Sequence, residues 1–315
     1  MSKSTVLASL ALALSLPLAA LAAPFAYVPN EGSGTLSVID TASDQVVATI
    51  PAGKKPRGTV VSLDGRTAYV SDQPNNQLVM VDLVARKAAG GIPLGESPEG
   101  VGISADGVWV AAAVEESNDV VFVDTRINRK AFVVQVRGKN PEHAEFSPDG
   151  KYVLVSAEEG GAVDVIDFAK RSEVAQIPVG ARPRGIGFSP DSQRAYVAAE
   201  NANEVYVIDM ATFKVLAQVK ARLRSNGIAV HPNGTRVYIS NGGDASVSVL
   251  DVATNTITAT IPVGQRPWNM ALTPDGKKLY VACGRSAAVS VIDTEHNVKI
   301  ADIAVGKLPW GVAIR

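Results

Sequence analysis

The sequence predicts an all-β protein: a seven-bladed β-propeller of four-stranded antiparallel blades closed into a ring. Three regularities predict it. Seven apolar stretches end in Asp at a nearly constant step, a Pro-x-Gly-type signal keeps that step, and the repeats account for the whole chain after its first residues.

The apolar stretches are Leu36-Ser-Val-Ile-Asp40, Leu78-Val-Met-Val-Asp82, Val120-Val-Phe-Val-Asp124, Val163-Asp-Val-Ile-Asp167, Val205-Tyr-Val-Ile-Asp209, Val247-Ser-Val-Leu-Asp251 and Val289-Ser-Val-Ile-Asp293. Their aspartates are 42, 42, 43, 42, 42 and 42 residues apart, a propeller-range period. The second signal runs Pro56-Arg-Gly58, Pro98-Glu-Gly100, Pro141-Glu-His143, Pro183-Arg-Gly185, Ser225-Asn-Gly227, Pro267-Trp-Asn269 and Pro309-Trp-Gly311. Turns such as Asp64-Gly65, Asp149-Gly150 and Asp275-Gly276 recur in register, with residue types that reach tight-turn dihedrals at little steric cost.

Each repeat supplies four short strands. The first follows the Pro-x-Gly, as in Gly185–Ser189; the second is Ala195-Tyr-Val-Ala198-like; the third ends in the Asp; the fourth resembles Thr256–Ile261. These runs alternate and are rich in β-branched residues, and no helical period is sustained. Residues 23–315 number 293, within one residue of seven such steps. The first repeat opens on a second strand, Phe25–Val28, and the chain ends on a first strand, Gly311–Arg315. The two ends are expected to complete one blade and close the ring, leaving a single domain over 23–315. An open solenoid needs capping repeats instead.

The first 22 residues read as a secretory signal peptide. Lys3 is followed by an apolar run over residues 6–21 and by Ala20-Leu21-Ala22. Cleavage is expected after Ala22, between Ala22 and Ala23, giving a periplasmic or secreted product. The run is shorter than the roughly 20 residues a membrane span needs, and no later segment is long and apolar enough.

Composition narrows the chemistry. Hydrophobic residues make up 46% of the 315, so the chain is no disordered tail. Lys and Arg number 30 against 31 Asp and Glu, which gives no basic excess for nucleic acid. One cysteine excludes a disulfide scaffold, a cysteine zinc site and an iron–sulfur cluster within the chain, and there are only three histidines. Neither a nucleophile elbow nor a Gly-rich phosphate loop is present.

The repeats resemble the YVTN-family β-propeller repeat, as in Ala68-Tyr-Val-Ser-Asp72, Val237-Tyr-Ile-Ser-Asn241 and Leu279-Tyr-Val-Ala282. More narrowly, Ala144–Gly150, Gly160–Asp167, Gly264-Gln-Arg-Pro-Trp268 and Pro309-Trp-Gly311 are similar to propeller proteins associated with PQQ-dependent catabolism. That resemblance implies an exported accessory to quinoprotein alcohol oxidation. It does not imply that this chain binds the quinone, and no cofactor is expected.

Function is expected where the repeat is broken. The middle of the Pro-x-Gly column reads Arg57, Glu99, Glu142, Arg184, Asn226, Trp268, Trp310. The next column is Gly except at His143 and Asn269. Two residues further it reads Val60, Gly102, Glu145, Gly187, Ala229, Ala271, Ala313, so Glu145 is a lone carboxylate. Folding requires none of this variation. The loops between second and third strands add Glu115, Glu116, Asp119, Glu158, Glu159 and Glu200 on the same face.

These residues form the candidate ligand- or partner-binding channel mouth. Glu142, His143 and Glu145 are the candidate metal ligands, the competing reading being a solvated acidic rim. Trp268 and Trp310 are expected as a partly solvated stacking or partner surface. Cys283 is expected in the core; His231 and His296 are expected at the surface. The expected function is that of a non-catalytic exported binding or scaffold propeller, serving a periplasmic partner protein or a small ligand. The alternative is a metal-assisted lactonase or lyase using the mouth carboxylates.

Overall fold

The computed structural model describes residues 24–315; the expected signal peptide, residues 1–22, lies outside the described residues. Seven four-stranded antiparallel sheets form the ring. Blade 1 runs over Pro56–Val61, Thr67–Asp72, Gln77–Asp82 and Lys87–Pro93, and blades 2 to 6 repeat the pattern. Among the described residues the only helical segments are the 3₁₀ turns Gln73–Asn75 and Gly284–Ser286. None is long and apolar enough to cross a membrane.

Blade 7 joins the two ends of the chain. Its strands are, from the axis outward, Ala313–Ile314, Phe25–Asn30, Thr35–Asp40 and Gln45–Pro51. The inner strand is shorter than the expected Gly311–Arg315, pairing only Ile314 with Ala26 and Ala313 with Tyr27. Further backbone bonds extend the closure: Phe25 N to Arg315 O at 2.8 Å, and Trp310 N to Pro29 O at 2.9 Å.

The core lies between neighbouring blades. Successive side chains of a strand point to opposite faces, and both faces of each blade are covered. In the second strand of blade 4, Val197 packs with Leu154 and Val165 of blade 3, whereas Tyr196 and Ala198 pack with Val237 and Ile239 of blade 5. Two repeat tyrosines also hydrogen-bond to the next blade. The Tyr69 hydroxyl donates to Asn128 Oδ1 at 2.8 Å, and Tyr280 and Lys278 bind Asp44 of blade 7.

The repeat aspartates cap turns, as their position predicts. Asp82 Oδ1 accepts from the amides of Val84 and Ala85 at 2.9 and 2.8 Å, and Asp209 Oδ1 from those of Ala211 and Thr212 at 2.8 Å. Each such bond satisfies a turn amide that the ladder leaves free. With turns and interfaces assigned to these residues, the inner strands are left to carry the channel.

Candidate functional site

The seven middle residues of the Pro-x-Gly column converge. Arg57, Glu99, Glu142, Arg184, Asn226, Trp268 and Trp310 all line one chamber of about 280 Å³ at the channel mouth. Loop residues complete it: Glu31, Gln73, Glu115, Glu158, Arg182 and Arg266, with Asn269 at its floor.

Arginines and glutamates interlock around this chamber. Arg57 pairs with Glu99 and, at 3.1 Å, with Glu31. Arg184 pairs with Glu142, with Glu158 at 2.5 Å and with Glu200 at 3.1 Å. Glu200 is fully buried, and Arg266 reaches it at 2.9 Å, with Arg182 at 3.5 Å and Arg224 at 3.8 Å. Burial alone raises a carboxyl pKa, but the charges of Arg184, Arg266 and Arg182 outweigh it and hold Glu200 below its ordinary value. Arg182, Arg224 and Arg266 occupy left-handed backbone at φ +59°, +55° and +55°, a region where Asn is favoured over long side chains. The loop geometry imposes that conformation, and arginine is used there nonetheless.

Three other glutamates of the mouth are shifted the opposite way. Burial, followed by the charge of Glu142, pushes Glu99 up despite Arg57 beside it. Glu158 is raised by burial and then by Glu142, and Glu115 is raised chiefly by burial. Five glutamates and four arginines line the chamber, so acidic and basic groups nearly balance there. Gln73 Nε2 donates to Glu99 Oε1 at 3.2 Å, and Ser97 Oγ donates to Glu115 Oε2 at 2.8 Å, fixing the carboxylates in place.

A side-chain layer crosses the channel beneath the chamber. The His143 ring of blade 3 stacks on Trp310 of blade 7, with centroids 5.3 Å apart and planes at 18°. His143 Nε2 lies 3.2 Å from Asn269 Nδ2 of blade 6. The two residues that break the Gly column are therefore partners across the axis. Burial, then the charge of Arg184, lowers the His143 pKa to about 3, so the ring is neutral. With Asn269 donating to Nε2, the ring proton sits on Nδ1, which is buried without a partner. Gly100 of blade 2 makes room for this ring: a Cβ there would lie 2.6 Å from Glu142 O and 2.9 Å from His143 Cδ2.

Below the layer lies a second cavity of about 240 Å³, which His143, Asn269, Arg57 and Trp310 also border. Glu145 faces it. Burial alone pushes this carboxyl up to about 8.

Several expectations are revised by this geometry. Glu142 faces the upper chamber while Glu145 faces the lower cavity, so the three candidate metal ligands are divided. Among the described residues no group of three His, Cys, Asp or Glu side chains is placed to hold a metal ion, and the donor set does not fit one. Trp310, expected to be partly solvated, is buried because His143 covers it; Trp268 keeps partial exposure. His231, expected at the surface, is buried, its Nδ1 2.7 Å from Asn233 Oδ1; His296 is exposed and Cys283 buried. Sequence reasoning missed Glu31 and Gln73. Their signal is the column after the second strand, which reads Glu31, Gln73, Glu115, Glu158, Glu200, Gly242, Gly284.

Ring, channel and mouth chamber together define a seven-bladed β-propeller with a polar pocket on its axis. Residues 144–301, half of the chain, match the family described as "Lactonase, 7-bladed beta-propeller", and the chain belongs to that family. No curated protein matches it. Among solved structures it is similar to hydrazine synthase of Kuenenia stuttgartiensis, at 23% identity and TM-score 0.77 over 90% of this chain and 99% of that one. It is also similar to a protein of unknown function from Desulfotomaculum acetoxidans, at 17% identity and TM-score 0.81 over 92% and 98%. A third, the dihydro-heme d1 dehydrogenase NirN in complex with DHE, is 17% identical with TM-score 0.71 over 94% of this chain and 76% of that one. At these identities the likeness is one of fold.

Proposed function

We propose that this protein is an exported, non-catalytic binding propeller that holds a small hydroxylated acid, or the matching group of a periplasmic partner, in its mouth chamber. One observation carries the reading. The seven column residues that folding leaves free all line one chamber, where charged groups are held in fixed positions at an electrostatic cost. Arg184 and Arg266 offer guanidinium N–H groups to a carboxylate, and the glutamates accept from hydroxyls. The partly exposed indole of Trp268, with Arg266 packed 5.8 Å from its ring, offers apolar surface to a sugar-like carbon skeleton. The N-terminal residues support export, and the repeat words Gly264–Trp268 and Pro309–Gly311 support a setting beside PQQ-dependent alcohol oxidation.

A second reading, lactone hydrolysis, is favoured by the family match and by the pairing of Arg184 and Arg266 on buried Glu200. Two rigid guanidiniums polarise a lactone carbonyl, and a neighbouring glutamate serves as general base for water. No metal enters this scheme.

The two readings separate in one experiment. D-glucono-1,5-lactone and D-gluconate are added to the purified protein, with pH-stat detection of acid release and calorimetric detection of binding. Saturable binding without acid release above the spontaneous rate supports the binding propeller. Release that depends on the protein, and is lost in Arg266→Met, replaces it with the hydrolase. Neither binding nor release refutes this ligand class.

A further inference from the structure

The lower cavity is not explained by the mouth chamber. Its walls are mixed: Val60, Val101, Ile186, Ile228, Met270 and the Trp310 side chain supply apolar surface, and Arg57, Thr59, His143 and Asn269 supply polar groups. Glu145 is the carboxyl that faces this space. The six equivalent positions are Val60, Gly102, Gly187, Ala229, Ala271 and Ala313, so neither the blade nor the ring calls for an acid here. Blade 2 yields space to it: a Cβ on Gly102 would stand 2.3 Å from Ala144 O and 3.2 Å from Glu145 Oε2.

No protein charge or hydrogen bond supports that carboxyl; burial is the only influence acting on it. The other titratable side chains bordering the cavity are His143 and Arg57. His143 is neutral; the terminal nitrogens of Arg57 are engaged by Glu31 and Glu99 above, while its Nε is buried without a partner. Glu145 is partly buried in the channel without a protein partner, and a carboxylate so placed is unfavourable unless a ligand brings the missing charge. One carboxylate beside an aromatic ring and aliphatic walls is the chemistry that holds organic ammonium ions. A hard metal ion requires several oxygen ligands, and only one carboxylate is present. The space greatly exceeds one water's share of about 30 Å³, which leaves room for a small alkyl chain.

We propose that the lower channel cavity is a binding site for a small primary alkylammonium ion, with Glu145 as its counter-ion and Trp310 and the aliphatic residues enclosing its carbon chain. The site is separate from the mouth chamber, and the layer of His143, Asn269 and Trp310 lies between them.

The test is isothermal titration of the full exported protein with n-butylammonium chloride at about pH 7, in two buffers of different ionisation enthalpy. The neutral chain 1-butanol is titrated in parallel. One saturable site is expected, with release of close to one proton per ligand, because the carboxyl, pushed up to about 8, ionises on binding. The alcohol is expected to bind at least about tenfold more weakly, as is n-butylammonium to Glu145→Gln, since either change removes the charge pair. The Gln side chain keeps the shape of Glu145, so folding is retained and is checked by thermal melting. Ala313→Leu, which narrows the cavity from blade 7, should weaken binding while Glu145 stays in place. Absence of binding, equal binding of the alcohol, or unchanged affinity in Glu145→Gln overturns the proposal.

Discussion

Replacing Glu145 by Gln should stabilise the protein in a pH-dependent way. In the folded chain burial raises the carboxyl to about 8, against an ordinary value of 4.5. The unfolded chain therefore gives up this proton first, and the native state holds it until higher pH. Between about pH 4.5 and 8 the native state binds more protons, so stability falls as pH rises through that window. The shift converts to at most about 5 kcal/mol of lost stability above pH 8. Water in the channel relieves part of this, so about 2 to 3 kcal/mol is the expected difference. Glu145→Gln carries no such penalty. His143, held to about 3, works in the opposite sense: it costs stability as pH falls from 6.5 toward 3. It is common to both proteins and cancels in the difference. Urea midpoints of wild type and Glu145→Gln, measured at about pH 5 and pH 8.5, test the reasoning. The variant should gain little at the lower pH and clearly more at the higher. An equal difference at both values would refute the placement of an unpartnered carboxyl in the channel.

Other expectations follow from the same packing. Gly100→Ala should destabilise the ring by about 1 to 3 kcal/mol, because the added Cβ meets the Glu142 carbonyl and the His143 ring; urea unfolding reads this, and an unchanged midpoint contradicts the close approach of blades 2 and 3. Deleting residues 310–315 removes the inner strand of blade 7 and opens the ring, so the melting temperature should drop sharply. A truncated protein that melts like the full one would mean that closure through the termini is dispensable. If residues 1–22 are a signal peptide, N-terminal sequencing of the mature protein should begin at Ala23, and membrane-bound material retaining residues 10–21 would oppose that reading.

The ring could be read from the sequence because one unit recurs at nearly constant spacing, so each weak strand signal is reinforced by six others. The chamber residues were legible for the converse reason: Arg57, Glu99, Glu142, Arg184, Asn226, Trp268 and Trp310 vary where the repeat leaves them free. What the sequence did not reveal is how the channel is divided. The height of His143 and Glu145 on their strand follows from spacing, but the contact of His143 with Asn269, 126 residues away, and with Trp310 crosses the axis. That contact buries Trp310 and separates Glu145 from Glu142, which defeats a shared metal site. Glu31 and Gln73 are legible only across repeats, in a column of Glu and Gln that ends in two glycines, Gly242 and Gly284, just where Arg266 and Trp268 need space.

If the mouth chamber is where this propeller binds, its affinity resides in side chains the ring does not need. Calorimetric titration of D-gluconate into wild type and Trp268→Ala tests this most directly. The indole lies on the chamber wall and is partly exposed, so its removal should leave the melting temperature nearly unchanged. Binding at one site in the wild type, weakened about tenfold or more in the variant, is the predicted result. Equal affinity in the two proteins, or a variant that fails to fold, would contradict it.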